Sequence, residues 1–125
     1  MTCDPCVPPS ALKDDATRTL SCAVVLTTVP DEAGAETLAR QIVEAGLGAC
    51  AQLEPIRSVY RWHGQTCVEP EWRLIIKTTV ASYPRLETFI RARHPYELPQ
   101  IVMLPISAGA PDYLQWVAEG SAGGD

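Results

Sequence analysis

The chain has 125 residues, 46% of them hydrophobic and 20% charged, a size and composition that suit one soluble globular domain and exclude a wholly disordered chain. Ten basic residues against 15 acidic ones leave a formal net charge of -5, so phosphate backbones and anionic lipid surfaces repel it and nucleic acid is excluded as a natural partner. No apolar run approaches the roughly 20 residues that cross a bilayer, and the first residues carry no charged-then-apolar leader pattern, so the expected location is cytoplasmic, with no membrane partner.

Residues 1–18 contain three prolines and no sustained hydrophobic period, and are expected to form a mobile arm before a domain spanning 19–120, with 121–125 as a flexible tail. The five cysteines, Cys3, Cys6, Cys22, Cys50 and Cys67, are an odd set; three sit in apolar, strand-like runs, where thiols behave as small buried hydrophobes, and a reducing compartment fits them. Cys3 and Cys6 form a C-x-x-C pair in the arm, without the second pair that zinc-site spacing requires.

The run TLSCAVVLTTV, from Thr19 to Val29, is β-branched and apolar on both faces, as a central strand is. Asp31 then offers a helix cap, and Ala35, Leu38, Ala39, Ile42 and Ala45 follow the spacing of one helical face, stopped by Gly46 and Gly48. Residues 49–63 are extended with Pro55 inside, which predicts an edge strand or a bulge. Gly64-Gln65 suits a two-residue turn of type II′, which would set His63 opposite Thr66 and Trp62 opposite Cys67, with residues 67–80 returning as the next strand. Ser82 is the expected cap of a second helix, with Leu86, Phe89 and Ile90 inward and Arg85, Glu87 and Arg91 outward, ended by Pro95. Residues 100–106 form a fourth strand, and Pro111 opens a last helix carrying Tyr113, Trp116 and Val117.

This order predicts an α+β domain of ferredoxin-like, split βαβ type: βαββαβ plus a C-terminal helix, one antiparallel sheet, helices on one face. The other sheet face and the long hairpin bearing Trp62 and Trp72 expose more apolar surface than two layers cover, which predicts a subunit contact. An RNA-recognition domain is not supported, because the first strand has no stacking aromatics. A phosphatase cradle is not supported either, because Asp31 and Glu32 stand where an anion would bind.

The polar residues that remain gather in RHPYELP, Arg93 to Pro99. His94 at a helix C-terminus either bonds the last carbonyls or faces a cleft as a ligand, with the helix dipole favouring its imidazolium. Lys77 is either a half-buried cation for an anionic ligand or a snorkelling edge lysine. His63 is expected at the exposed hairpin turn.

The blocks VVLTTVPDE (24–32), GACAQL (48–53), VYRWHG (59–64), EWRLIIKTT (71–79), HPYELP (94–99) and YLQW (113–116) together resemble the CutA divalent-cation-tolerance family over roughly residues 21–116. The resemblance implies a non-enzymatic homotrimer similar in build to PII signalling proteins, with a role in the response to divalent metal ions, copper first among them. It also implies that His94, Tyr96 and Glu97 lie beside an inter-subunit cleft, with His94 the candidate metal residue and Lys77 a further lining residue. Some family members have a cysteine in the first strand, a second histidine before HPY and an acidic residue after the second proline. Thr27, Arg93 and Gln100 stand at those positions here, and a hydroxyl, a cation and an amide are poorer copper ligands. A second reading is a PII-like sensor that binds a small anionic ligand in the cleft through Lys77, His94, Tyr96 and Glu97.

Overall fold

A computed structural model describes residues 21–123; the predicted arm, with Cys3 and Cys6, lies outside them. The first strand, β1 (Cys22–Val29), leads into α1 (Glu32–Glu44), and β2 (Cys50–Trp62) turns back as β3 (Gln65–Thr79). Then come α2 (Tyr83–Arg93), β4 (Ile101–Pro105) and α3 (Pro111–Gly120). The sheet order is β2-β3-β1-β4 with every neighbouring pair antiparallel. This is the ferredoxin-like α+β arrangement that the alternation of periods predicts.

Local chemistry fixes each boundary. Asp31 caps α1 by accepting the Gly34 amide at 2.7 Å. At its other end the Gly46 amide reaches Val43 O and the Leu47 amide reaches Ile42 O, with Gly46 at φ 72, a Schellman ending that uses glycine's freedom in the left-handed region. Ser82 precedes α2 but its side chain does not cap it. Its hydroxyl donates instead to Ser121 O at 2.6 Å. The predicted tail therefore does not begin at Ser121, which is fully buried and also bonds Val117 O.

The hairpin corrects a second expectation. The turn is His63-Gly64, with Trp62 opposite Gln65 and Tyr60 opposite Cys67, one residue earlier than a Gly64-Gln65 turn. Both His63 (φ 51) and Gly64 (φ 78) are left-handed, the requirement of a type I′ turn, whose twist matches the flanking strands. Pro55 sits in β2 without interrupting the register, which an edge strand permits.

Strand alternation divides the sheet. Val25, Val29, Leu74 and Ile76 pack with Ala35, Leu38 and Ile42 of α1 and with Leu86 and Ile90 of α2 to make the core. The intervening residues Val24, Leu26 and Ile75 face the other way and stay partly accessible, beside the exposed Val102 (43%) and Leu104 (50%) of β4. Among the described residues only α3 touches this second face, at one end, where Cys22 Sγ meets Leu114 O at 3.5 Å and Lys77 Nζ lies 5.9 Å from the Tyr113 ring. At the other end β3 pairs with β1 only from Trp72 onward, so residues 56–71 project as a two-stranded arm.

Several buried residues are polar, and among the described residues one of them leaves its side-chain oxygen unpaired. Thr27 is 0% exposed, and its hydroxyl has no hydrogen-bond partner among the described residues. A buried unpaired hydroxyl costs more than a methyl group of the same shape. Thr27→Val is therefore expected to raise the unfolding free energy by about 1 kcal/mol, read as a higher denaturant midpoint at unchanged slope.

Candidate functional site

The projecting arm places polar side chains on the face opposite the helices. From β2 come Ser58, Tyr60 and Trp62, and from β3 Glu69 and Glu71, all of one alternation phase. Tyr60 OH donates to Glu69 Oε1 at 2.8 Å, and Ser58 OH donates to Glu71 Oε1 at 2.6 Å. Only 8% of Glu71 is exposed, and its second oxygen accepts Tyr96 OH at 2.8 Å. That bond ties the arm to the loop after α2, 25 residues away in sequence.

The loop is held by His94. Its Nδ1 accepts the Tyr96 amide at 3.1 Å, which leaves Nε2 as the protonated nitrogen that donates to Thr28 O at 2.8 Å. The ring is thus the neutral Nε2-H tautomer. Burial pushes its pKa below the ordinary histidine value, and this outweighs the opposing effects of the Thr28 carbonyl and the Glu71 carboxylate. The helix-dipole expectation of an imidazolium is reversed here, because a protonated Nδ1 would point a donor at a donor. Pro95 sends the chain away from α2, and the two rings at 94 and 96 lie 5.0 Å apart.

Between arm and loop lies a cavity of about 510 Å³ whose lining includes Tyr60, Trp62, Glu69, Glu71, Tyr96 and Glu97. The hydrogen bonds from Tyr60 and Tyr96 to carboxylates keep both phenols protonated: Tyr60 is pushed up to about 12 by its bond to Glu69, and Tyr96 is raised by burial first and Glu71 second. Glu97 and Gln100 line the cavity as well, but Lys77 does not. The lysine sits toward the α3 end, bonded to Gln52 Oε1 at 2.8 Å. Within one chain, the expected set of four separates into His94, Tyr96 and Glu97 at one end of the sheet and Lys77 at the other.

Copper or another divalent cation does not fit as a tight single-chain site. Both nitrogens of His94 serve backbone groups, Glu71 accepts two hydroxyls, and among the described residues no three His, Cys, Asp or Glu side chains converge to hold a metal ion. Thr27 lies in the core, and Arg93 stacks on the Phe89 ring at 3.5 Å and bonds Phe89 O. Neither contributes a ligand.

The sequence reading missed Ser58, Tyr60, Glu69 and Glu71. The signal was present as the pairs Tyr60/Trp62 and Glu69/Glu71 at spacing two, which share one face in either turn register; in the observed register Ser58 lies opposite Glu69, and the Tyr60 to Glu69 and Ser58 to Glu71 bonds run diagonally.

Fold and site together define a ferredoxin-like domain with a projecting hairpin, an uncovered apolar sheet face and an acidic, aromatic cavity. The model of the CutA1 divalent ion tolerance protein family matches residues 23–120, and the chain belongs to that family. It is 44% identical over 97 residues to the divalent-cation tolerance protein CutA of Thermus thermophilus, covering 77% of this chain and 94% of that one. Among solved structures, CutA from Synechococcus elongatus superposes with a TM-score of 0.79 at 37% identity, covering 84% of this chain and 94% of that one. The periplasmic divalent cation tolerance protein CutA from Archaeoglobus fulgidus gives 0.78 at 29% identity, covering 80% and 98%.

Proposed function

We propose that this divalent-cation-tolerance protein works as a non-enzymatic cytoplasmic homotrimer, and that copper is the foremost cation it responds to, through groups that only the assembly brings together. The observation that carries the assembly is the second sheet face. Val24, Leu26, Ile75, Val102 and Leu104 form an apolar surface on it that no helix among the described residues covers, beside a hairpin arm that has no third strand among them either. A closed ring of three chains buries that surface and the free edges of β2 and β4 without leaving a new edge to propagate. The need for more than one chain in metal binding follows from the failure of one chain to converge three ligands. The anionic-ligand reading has less support, since the cavity is lined by three glutamates and Lys77 is remote from it.

Light scattering on the full chain is expected to give about three times the 13.6 kDa of the monomer. Copper titration against a competing chelator, with Cys3→Ser and Cys6→Ser to silence the arm, is expected to show saturable binding that disappears when the assembly is dispersed. A monomeric mass, or equal copper affinity in the dispersed chain, would overturn the reading.

A further inference from the structure

We propose that the cavity between the hairpin arm and the 95–100 loop binds an organic ammonium ion, a cation with an apolar body rather than a bare metal ion. The inference rests on the assembled chain of the preceding section keeping this cavity reachable from solvent. Three features of the cavity choose the ligand. Its volume, about 510 Å³, lies in the range that small organic molecules fill and is far larger than one ion needs. Three of its lining residues are the aromatics Tyr60, Trp62 and Tyr96, a residue type whose rings attract diffuse cations but do not ligate a metal through the ring face.

The third feature is charge. Glu69, Glu71 and Glu97 all line the cavity, and Glu71 is buried with only the neutral hydroxyls of Ser58 and Tyr96 for partners. No lysine or arginine pairs with these glutamates among the described residues. Arg61 is also in the lining, but strand alternation sends its side chain to the opposite face from Tyr60 and Trp62. A desolvated carboxylate without a counter-ion favours a cation, and aromatic walls favour one whose charge is spread over alkyl groups. Bare divalent ions need several free oxygens at about 2 to 2.6 Å, whereas Glu69 and Glu71 already accept hydroxyl protons.

The test uses the full chain at its native mass and compares choline with its uncharged isostere 3,3-dimethylbutan-1-ol and with citrate, by calorimetry and by tryptophan fluorescence. Choline is expected to bind saturably and to perturb the fluorescence, about tenfold more tightly than the isostere, and citrate is expected not to bind. Glu97→Gln, at an exposed position, is expected to weaken choline several-fold without changing the mass, and Trp62→Leu is expected to weaken it at least as far. Equal affinity for the uncharged isostere, preference for citrate, or no saturation by choline would overturn the proposal. Because these comparisons are made on the unaltered protein, they decide it even where a variant fails to fold. A native mass that is not trimeric counts against the assembly instead, and the two failures are told apart by light scattering on the same sample.

Discussion

Leu104→Asp is expected to disperse the proposed trimer and to lower stability steeply, while Gln41→Asp on the helical side leaves the mass unchanged and costs less than about 1 kcal/mol through the dipole of α1. Leu104 lies on β4 opposite Val24, on the face away from the core, and is 50% exposed in the single chain. Beside it on the same face are Leu26, Ile75 and Val102, all apolar, and Lys77, on the far side of Val24, is already bonded to Gln52. If a second chain covers this patch, the new aspartate is trapped without a partner, at a cost of several kcal/mol per interface. If none covers it, the substitution only makes an exposed strand more polar and costs almost nothing. Light scattering separates the cases: about three times 13.6 kDa falling to one chain's mass for Leu104→Asp, or no change for either variant. The second outcome would remove the apolar face as the contact surface and with it the assembled metal site.

How far the sequence reaches differs between fold and site, for physical reasons. The core positions Ala35, Leu38 and Ile42, and Leu86 and Ile90, were legible because burial imposes a helical period on them that no other element shares. Pro55 limited β2 to an edge strand or a bulged one, because a proline has no amide to donate to the ladder, and the unbroken register decides for the edge. The turn was misplaced by one residue because Gly64 satisfies two turn types, and only the backbone shows that His63 also takes positive φ. The slip keeps every side chain on its own face and only exchanges directly opposed pairs for diagonal ones; the Tyr60, Glu69, Ser58 and Glu71 cluster went unread because what makes it a site, the Tyr96 to Glu71 bond, is a long-range contact outside any local pattern. Ser82 was legible as a helix start but not as the anchor of Ser121, a contact 39 residues away that no local pattern encodes. Lys77 pairs with Val24 and Cys50 near the start of β1, while His94 bonds Thr28 O near its other end, a separation that only strand direction and register fix.

Substitution at His94 decides whether its ring holds the loop in place or stands free for a ligand. His94→Ala is expected to destabilise the fold by about 2 kcal/mol, because it strips Thr28 O of its donor and the Tyr96 amide of its acceptor while leaving a gap where the ring packs. The loop then loses its grip on Tyr96, and the Tyr96 to Glu71 bond that joins loop to arm loosens with it. The wild-type protein should show the matching pH dependence. Burial holds the folded-state pKa of His94 below its unfolded value, so between those two values the unfolded chain binds the extra proton. The stability contributed by the neutral ring is fully present above about pH 6.5, the ordinary histidine value. It is lost as pH falls from there through the lowered folded pKa. Glu71 faces the ring and favours the charged form, which narrows this loss without reversing it. Denaturant unfolding at pH 7 and pH 5 is expected to show a drop in the wild type that is smaller in His94→Gln, whose amide does not titrate. An equal drop in both would mean that His94 does not govern the acid sensitivity and that the loop is held by Pro95 and Tyr96 alone.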